Sequence, residues 1–193
     1  AVDALVARSD GVPLYVEELT RSVLEPDATR SATAIPATLA DALMGRLDRL
    51  STAKDLAQRA AVLGREFPHA QLAAIADRDD ASLRQDLTRL VEAGVLVARG
   101  EPPQAPYAFR HALIEEAAYR SLLKRTRQQL HARVGTVLET RFPERAEAEP
   151  EVIARHYEQA GMIAPAIAHY RRAGERAAGG LGDFATGLVS PSV

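Results

Sequence analysis

From Glu92 to His111 the sequence reads EAGVLVARGEPPQAPYAFRH, and here the helical spacing of the flanking segments breaks off. Gly94 suits the left-handed position at which helices end. VLVAR and YAFR are short apolar runs joined by a Gly/Pro loop, so they read as two strands of a β-hairpin. Three helical patterns come before them. Leu56, Ala60 and Leu63 mark the first, which ends at Gly64. Leu72 and Ile75 mark the second, after Phe67-Pro68. Leu83, Leu87, Leu90 and Val91 mark the third, which starts at Asp79-Asp80. Three helices followed by a hairpin is the winged-helix arrangement, with the hairpin as wing and residues 80–93 as third helix.

Upstream, residues 2–8 read as the tail of a helix that ends at Ser9-Asp10-Gly11, and a second helix is expected over 13–24. Pro13 suits a first helical turn because its φ is preset and its missing N–H has no partner there anyway. A polar loop follows. Pro36-Ala37-Thr38 then opens a helix with Leu39, Leu43, Leu47 and Leu50 on one face. Ser51 reads as the N-cap of the next helix, with Asp55 in its first turn. Downstream, helices are expected over 111–123, 128–142, 150–160 and 163–178. The second of these has a 3.6-residue stripe of Leu130, Val134, Val137, Leu138 and Phe142. Tyr157, Ala160, Gly161, Ala166, Tyr170 and Ala173 have the aromatic and small-residue spacing of a helix-hairpin repeat. A further unit is expected to begin at Gly182-Asp183-Phe184-Ala185.

Composition narrows the function. The 193 residues are 47% apolar, carry a net charge of −2 and include neither Cys nor Trp. A balanced charge argues against nucleic-acid binding driven by the overall field. Without cysteine there is neither a disulfide nor a thiolate metal site, which fits a cytoplasmic location. No apolar run approaches the roughly 20 residues that a membrane-spanning helix needs. The chain opens on Ala1 in mid-helix pattern, so we read it as part of a longer protein.

Candidate chemistry is sparse. Arg84 and Arg89 on the third helix are balanced by Asp86 and Glu92, with Asp79-Asp80 just before them, so a DNA-reading surface is not expected. Lys124 and Arg125 are expected at a helix C-terminus, complementing its dipole. His69, His111, His131, His156 and His169 have no ligand spacing. Glu17-Glu18 are adjacent and point apart on a helix. Ser9 and Ser190 lack the surroundings of a nucleophile elbow. There is no GxxxxGK[ST] loop to hold phosphates, and no strand ends in paired acids.

In sequence order, GVPLYVEEL, IPATLADALMGRLDRL, AAVLGREF, LVEAGVLVA, YAFRHALIEEAAYRSLL and RQQLHARVGTVLE resemble a known family. They are similar to the region after the nucleotide-binding core of the signal-transduction ATPases with numerous domains. The nearest likeness is to bacterial regulators in which tetratricopeptide-like helices follow the ATPase module. Many of these carry a class III adenylate/guanylate cyclase domain, and others a DNA-binding output domain. The resemblance spans residues 8–178. It implies that Gly11, Val12 and Pro13 form a turn that approaches the adenine of ATP or ADP, held with Mg²⁺ by a core outside this chain.

The expected fold is mainly α. Residues 1–34 would be a remnant of the ATPase lid and linker, 35–110 a winged-helix domain, and 111–193 antiparallel hairpins beginning a tetratricopeptide-like array. The expected role is regulatory and non-catalytic, with no metal or cofactor held by this chain. Expected partners are the intramolecular ATPase core and output domain, with a protein or small-molecule effector on the repeats, no membrane and no DNA. The alternatives are a DNA-binding winged-helix regulator and a helical protein-interaction scaffold.

Overall fold

A computed structural model describes residues 16–17, 39–101 and 105–186, with side chains for all but 39–40 and 179–186. Among the described residues the chain is mainly helical with one small sheet. In order the elements are α1 (Leu39–Asp48), α2 (Thr52–Leu63), β1 (Glu66–Phe67), α3 (His69–Ala76), α4 (Asp80–Glu92), β2 (Leu96–Ala98), β3 (Tyr107–Phe109), α5 (Ala112–Arg120), α6 (Lys124–Arg141), α7 (Pro143–Ala148), α8 (Pro150–Gln159) and α9 (Ile163–Thr186).

The expected hairpin is present. β2 and β3 pair antiparallel with Leu96 opposite Phe109 and Ala98 opposite Tyr107. The sheet also has a strand that the periodicity did not reveal. β1 pairs with the other edge of β3, Phe67 opposite Tyr107, giving the order β1-β3-β2. Two residues are too few to display a period of two. The pairing brings Phe67 against Phe109 edge-on, with ring centroids 6.2 Å apart.

Some helix ends follow local chemistry. Asp79 caps α4, accepting a hydrogen bond from the Ser82 backbone N–H at 2.9 Å and from its hydroxyl at 2.6 Å. Gly64 and Gly94 take φ of 114° and 66° where α2 and α4 end. Ser51 differs from expectation. It precedes α2, but its φ of 50° turns its side chain from the capping position, and it makes no capping bond.

Two other expectations are corrected. Lys124 and Arg125 open α6 instead of closing the helix before it, because α5 ends at Ser121 and Leu123 is the extended N-cap residue of α6. They therefore meet the positive end of the dipole. Gly182-Asp183-Phe184-Ala185 does not begin a new unit, since α9 remains helical through Thr186. A glycine inside a helix costs about 1 kcal/mol relative to alanine, which weakens a helix without dictating a break.

The core is continuous from α1 to α9. Leu43, Leu47, Leu56, Leu87, Leu90 and Phe109 lie in the same buried cluster as Ile114 of α5, Val134 of α6 and Ile153 of α8. α5 packs on α2, where Gln58 also donates to the Ser121 hydroxyl at 2.8 Å. α6 packs on α2 and α3 from one side and on α8 from the other. The main contact of α9 is with α8, so α8 joins α9 to the rest of the molecule.

Candidate functional site

Gly11, Val12 and Pro13, the residues assigned to an adenine contact, lie outside the described residues, as does Glu18. The third-helix residues are described, and each arginine of that helix faces a carboxylate of the same helix, Arg84 toward Asp80 and Arg89 toward Asp86. Arg78, in the turn between α3 and α4, is the hub. Its guanidinium donates to Asp86, to Asp55 at 2.8 Å and to the Thr52 carbonyl at 3.0 Å. Asp86 also accepts from the Thr52 hydroxyl at 2.9 Å and lies 3.6 Å from Arg89. Arg84 is paired with Asp80 one turn away. Burial pushes the Asp55 carboxyl up, but hydrogen bonds from Arg59 and Arg78 outweigh it and hold the group below its ordinary value. The shallow cleft over this hub mixes Asp77, Asp79 and Asp86 with Arg78 and Arg89. A phosphate backbone would meet carboxylates there as well as guanidinium groups.

The second cluster lies in the helical half. α6 presents His131, Gly135 and Glu139 at four-residue intervals, and α8 meets this face with His156 and Tyr157. The Tyr157 hydroxyl donates to Glu139 Oε2 at 2.7 Å, and His169 Nε2 of α9 lies 3.2 Å from Glu139 Oε1. Burial first, then the Glu139 carboxylate, pushes the Tyr157 phenol up. The tyrosine ring closely approaches Gly135, where an added Cβ would come within 2.9 Å of it. Deeper in, Tyr119, His131 and His156 form a hydrogen-bonded chain.

Beside Glu139, between α6, α7, α8 and α9, runs a cleft of about 300 Å³ bounded by Glu147, Pro150, Arg172 and Arg176. Both Glu139 oxygens are already engaged, so this carboxylate organises three helices. Among the described residues no group of three His, Asp or Glu side chains converges as a metal site would require. Replacing Tyr157 with Phe removes one hydrogen bond to a half-exposed carboxylate. Chemical denaturation is expected to show a loss of about 1 kcal/mol.

No family model matches the sequence. No solved structure matches it either. A protein of Rhizobium meliloti (strain 1021), described as uncharacterized, is 34% identical over 181 residues. The match takes in 90% of this chain and 18% of that protein, so the chain spans less than a fifth of the relative's length.

Sequence spacing missed the pairing of His131 with His156 because 25 positions separate them. A local signal was nonetheless present. His131 sits beside Leu130 on the apolar stripe of α6, and His156 lies between Ile153 and Tyr157 on that of α8. A histidine on an apolar face will be buried and must find a polar partner. Periodicity identifies the face but not the partner. No helix among the described residues is long and apolar enough to cross a membrane.

Proposed function

We propose that this chain is a non-catalytic regulatory segment of a larger, cytoplasmic signal-transduction ATPase. Residues 35–110 form a winged helix that acts as a lever, and residues 111–193 begin a tetratricopeptide-like helical sensor. Residues 1–34 belong to the lid of the ATPase core, where Gly11, Val12 and Pro13 approach adenine. ATP or ADP with Mg²⁺ belongs to that core. The segment transmits nucleotide state to an output domain such as a nucleotide cyclase.

One observation carries this reading: each cation of α4 is paired with a carboxylate of the same helix. The element order α2-β1-α3-α4-β2-β3 and the strand order β1-β3-β2 fit a winged helix, and α4 would be its recognition helix. A DNA reader keeps that helix positive and free. Here Arg84 and Arg89 face Asp80 and Asp86, which suits a helix used for packing. The continuous core from α2 through α5 and α6 suits a lever, because displacement of one part moves the other. The small share of the longer relative covered by the chain suits a segment working among further domains.

A scaffold role is the second reading. It draws support from the exposed Ile163, Ile167 and Tyr170, which form one stripe along α9.

In the full-length protein, Pro13→Ala is expected to weaken ADP or ATP binding by about 1 kcal/mol, near the scale of a proline's backbone restraint. Isothermal calorimetry measures this directly, and unchanged affinity removes the lid assignment. The isolated chain is expected to bind random duplex DNA more weakly than about 10⁻⁴ M at physiological salt. A selected site bound below micromolar concentration would replace the lever with a DNA reader.

A further inference from the structure

We propose that Tyr119, His131 and His156 form a proton-operated latch that holds the α8–α9 hairpin on α6 and releases it when the histidine pair takes up a second proton.

The geometry allows only certain proton counts. His131 Nε2 lies 2.9 Å from the Tyr119 hydroxyl, and His131 Nδ1 lies 2.9 Å from His156 Nδ1. His131 is 6% exposed and His156 7%, so water is a poor substitute for either contact. Two facing Nδ1 atoms share a single proton. With both rings neutral, Tyr119 donates to His131 and His131 donates to His156, or the whole chain runs in reverse. One added proton on His131 preserves both bonds, because its two N–H groups then donate to the Tyr119 oxygen and to His156 Nδ1. A second places two N–H groups and two positive charges face to face at hydrogen-bond distance.

The surroundings oppose that charge. From α6, Arg127 lies over the Tyr119 ring, 5.2 Å from its centroid. From α7, Arg145 bears on His156 while paired with Glu149 at 3.0 Å, and Arg155 bears on it from α8 itself. Near the end of α3, Asp77 faces Arg133 at 3.6 Å, and His169 of α9 packs on Tyr157. Burial and then Arg127 lower His131 to about 4. Burial, then His131, Arg155 and Arg145, lower His156 to about 3.

The sign follows from these directions. Well above pH 6.5 both rings are neutral in either state and the latch is at full strength. As pH falls from 6.5 toward 4 and then 3, the open state binds protons that the closed state refuses, so opening is favoured. Each histidine contributes about one decade per pH unit below 6.5, giving about a thousandfold rise in the opening constant between pH 8 and pH 5. The opening is local because α9 is attached mainly through α8, and α8 chiefly through α6.

Amide hydrogen exchange, corrected for intrinsic rates, tests this on the intact chain. Between pH 8 and pH 5 the protection of α8 and α9 is expected to fall about a thousandfold, with α2 and α4 falling far less. His156→Asn keeps a polar group near Nδ1 without a titrating ring, and should reduce the drop to about thirtyfold, one histidine's share. A uniform loss across all helices, or an undiminished drop in H156N, overturns the latch. Should H156N fail to fold, imidazole ¹⁵N shifts of the unsubstituted chain decide. A pair that carries at most one proton for as long as α8 stays protected supports the latch, and titration of both rings near pH 6.5 with protection intact overturns it.

Discussion

Arg78→Ala is expected to destabilise the chain by about 3 kcal/mol, the lower end of the cost of breaking a buried ion pair from one side. The Asp86 side chain is 5% exposed and that of Arg78 16%. Removing the guanidinium leaves Asp86 with only Thr52 and the more distant Arg89, and strips Asp55 of one of its two cations. It also removes one hydrogen bond from the Thr52 carbonyl in the first turn of α2. Arg78→Lys should recover only part of the loss, because an ammonium lacks the planar fork that reaches three acceptors together. Arg84→Ala is the control. Its pair with Asp80 is exposed on both sides, and its loss should cost less than about 1 kcal/mol. Urea denaturation of the three variants measures the difference. Equal effects from Arg78→Ala and Arg84→Ala would remove the hub from the account of stability.

Gly135→Val is expected to cost about 3 kcal/mol, at the upper end of the range for overpacking. The added Cβ alone would lie 2.9 to 3.1 Å from three atoms of the Tyr157 ring. That ring has little freedom to retreat, since its hydroxyl is bound to Glu139 and the His169 ring packs on it with centroids 5.7 Å apart. Gly174 gives the opposite result in the same bundle. Nothing lies within 4 Å of a Cβ built there, so Gly174→Ala should gain about 0.5–1 kcal/mol from helix propensity alone. Thermal melting of both variants reads the two signs. A neutral Gly135→Val would mean that α6 and α8 are not in close contact at this point.

Much of the secondary structure was legible because it depends on near neighbours. The stripe Leu83, Leu87, Leu90 needs only a helical period, and Asp79 caps α4 through a residue three positions away. The hairpin was legible through its Gly/Pro loop. Local chemistry failed where two outcomes have similar local free energy. Lys124 and Arg125 suit the end of a helix better than its start. Even so, the tertiary position of Leu122 and Leu130 in the core places the break at residues 121–123. Gly182-Asp183-Phe184-Ala185 reads as the start of a further unit, but a single glycine costs too little to end the helix before it.

The sequence by itself determined a mainly helical chain with one hairpin after the third helix of its middle section. Each of those features is a repeating or short-range pattern that a segment carries wherever it packs. Only the tertiary structure decided which charges cancel, that β1 completes the sheet, and that His131 meets His156. Arg78 reaches Asp55 across 23 positions, and the two histidines meet across 25. Such pairings are set when helix faces dock and desolvate their polar groups, and no local period records which face will dock on which.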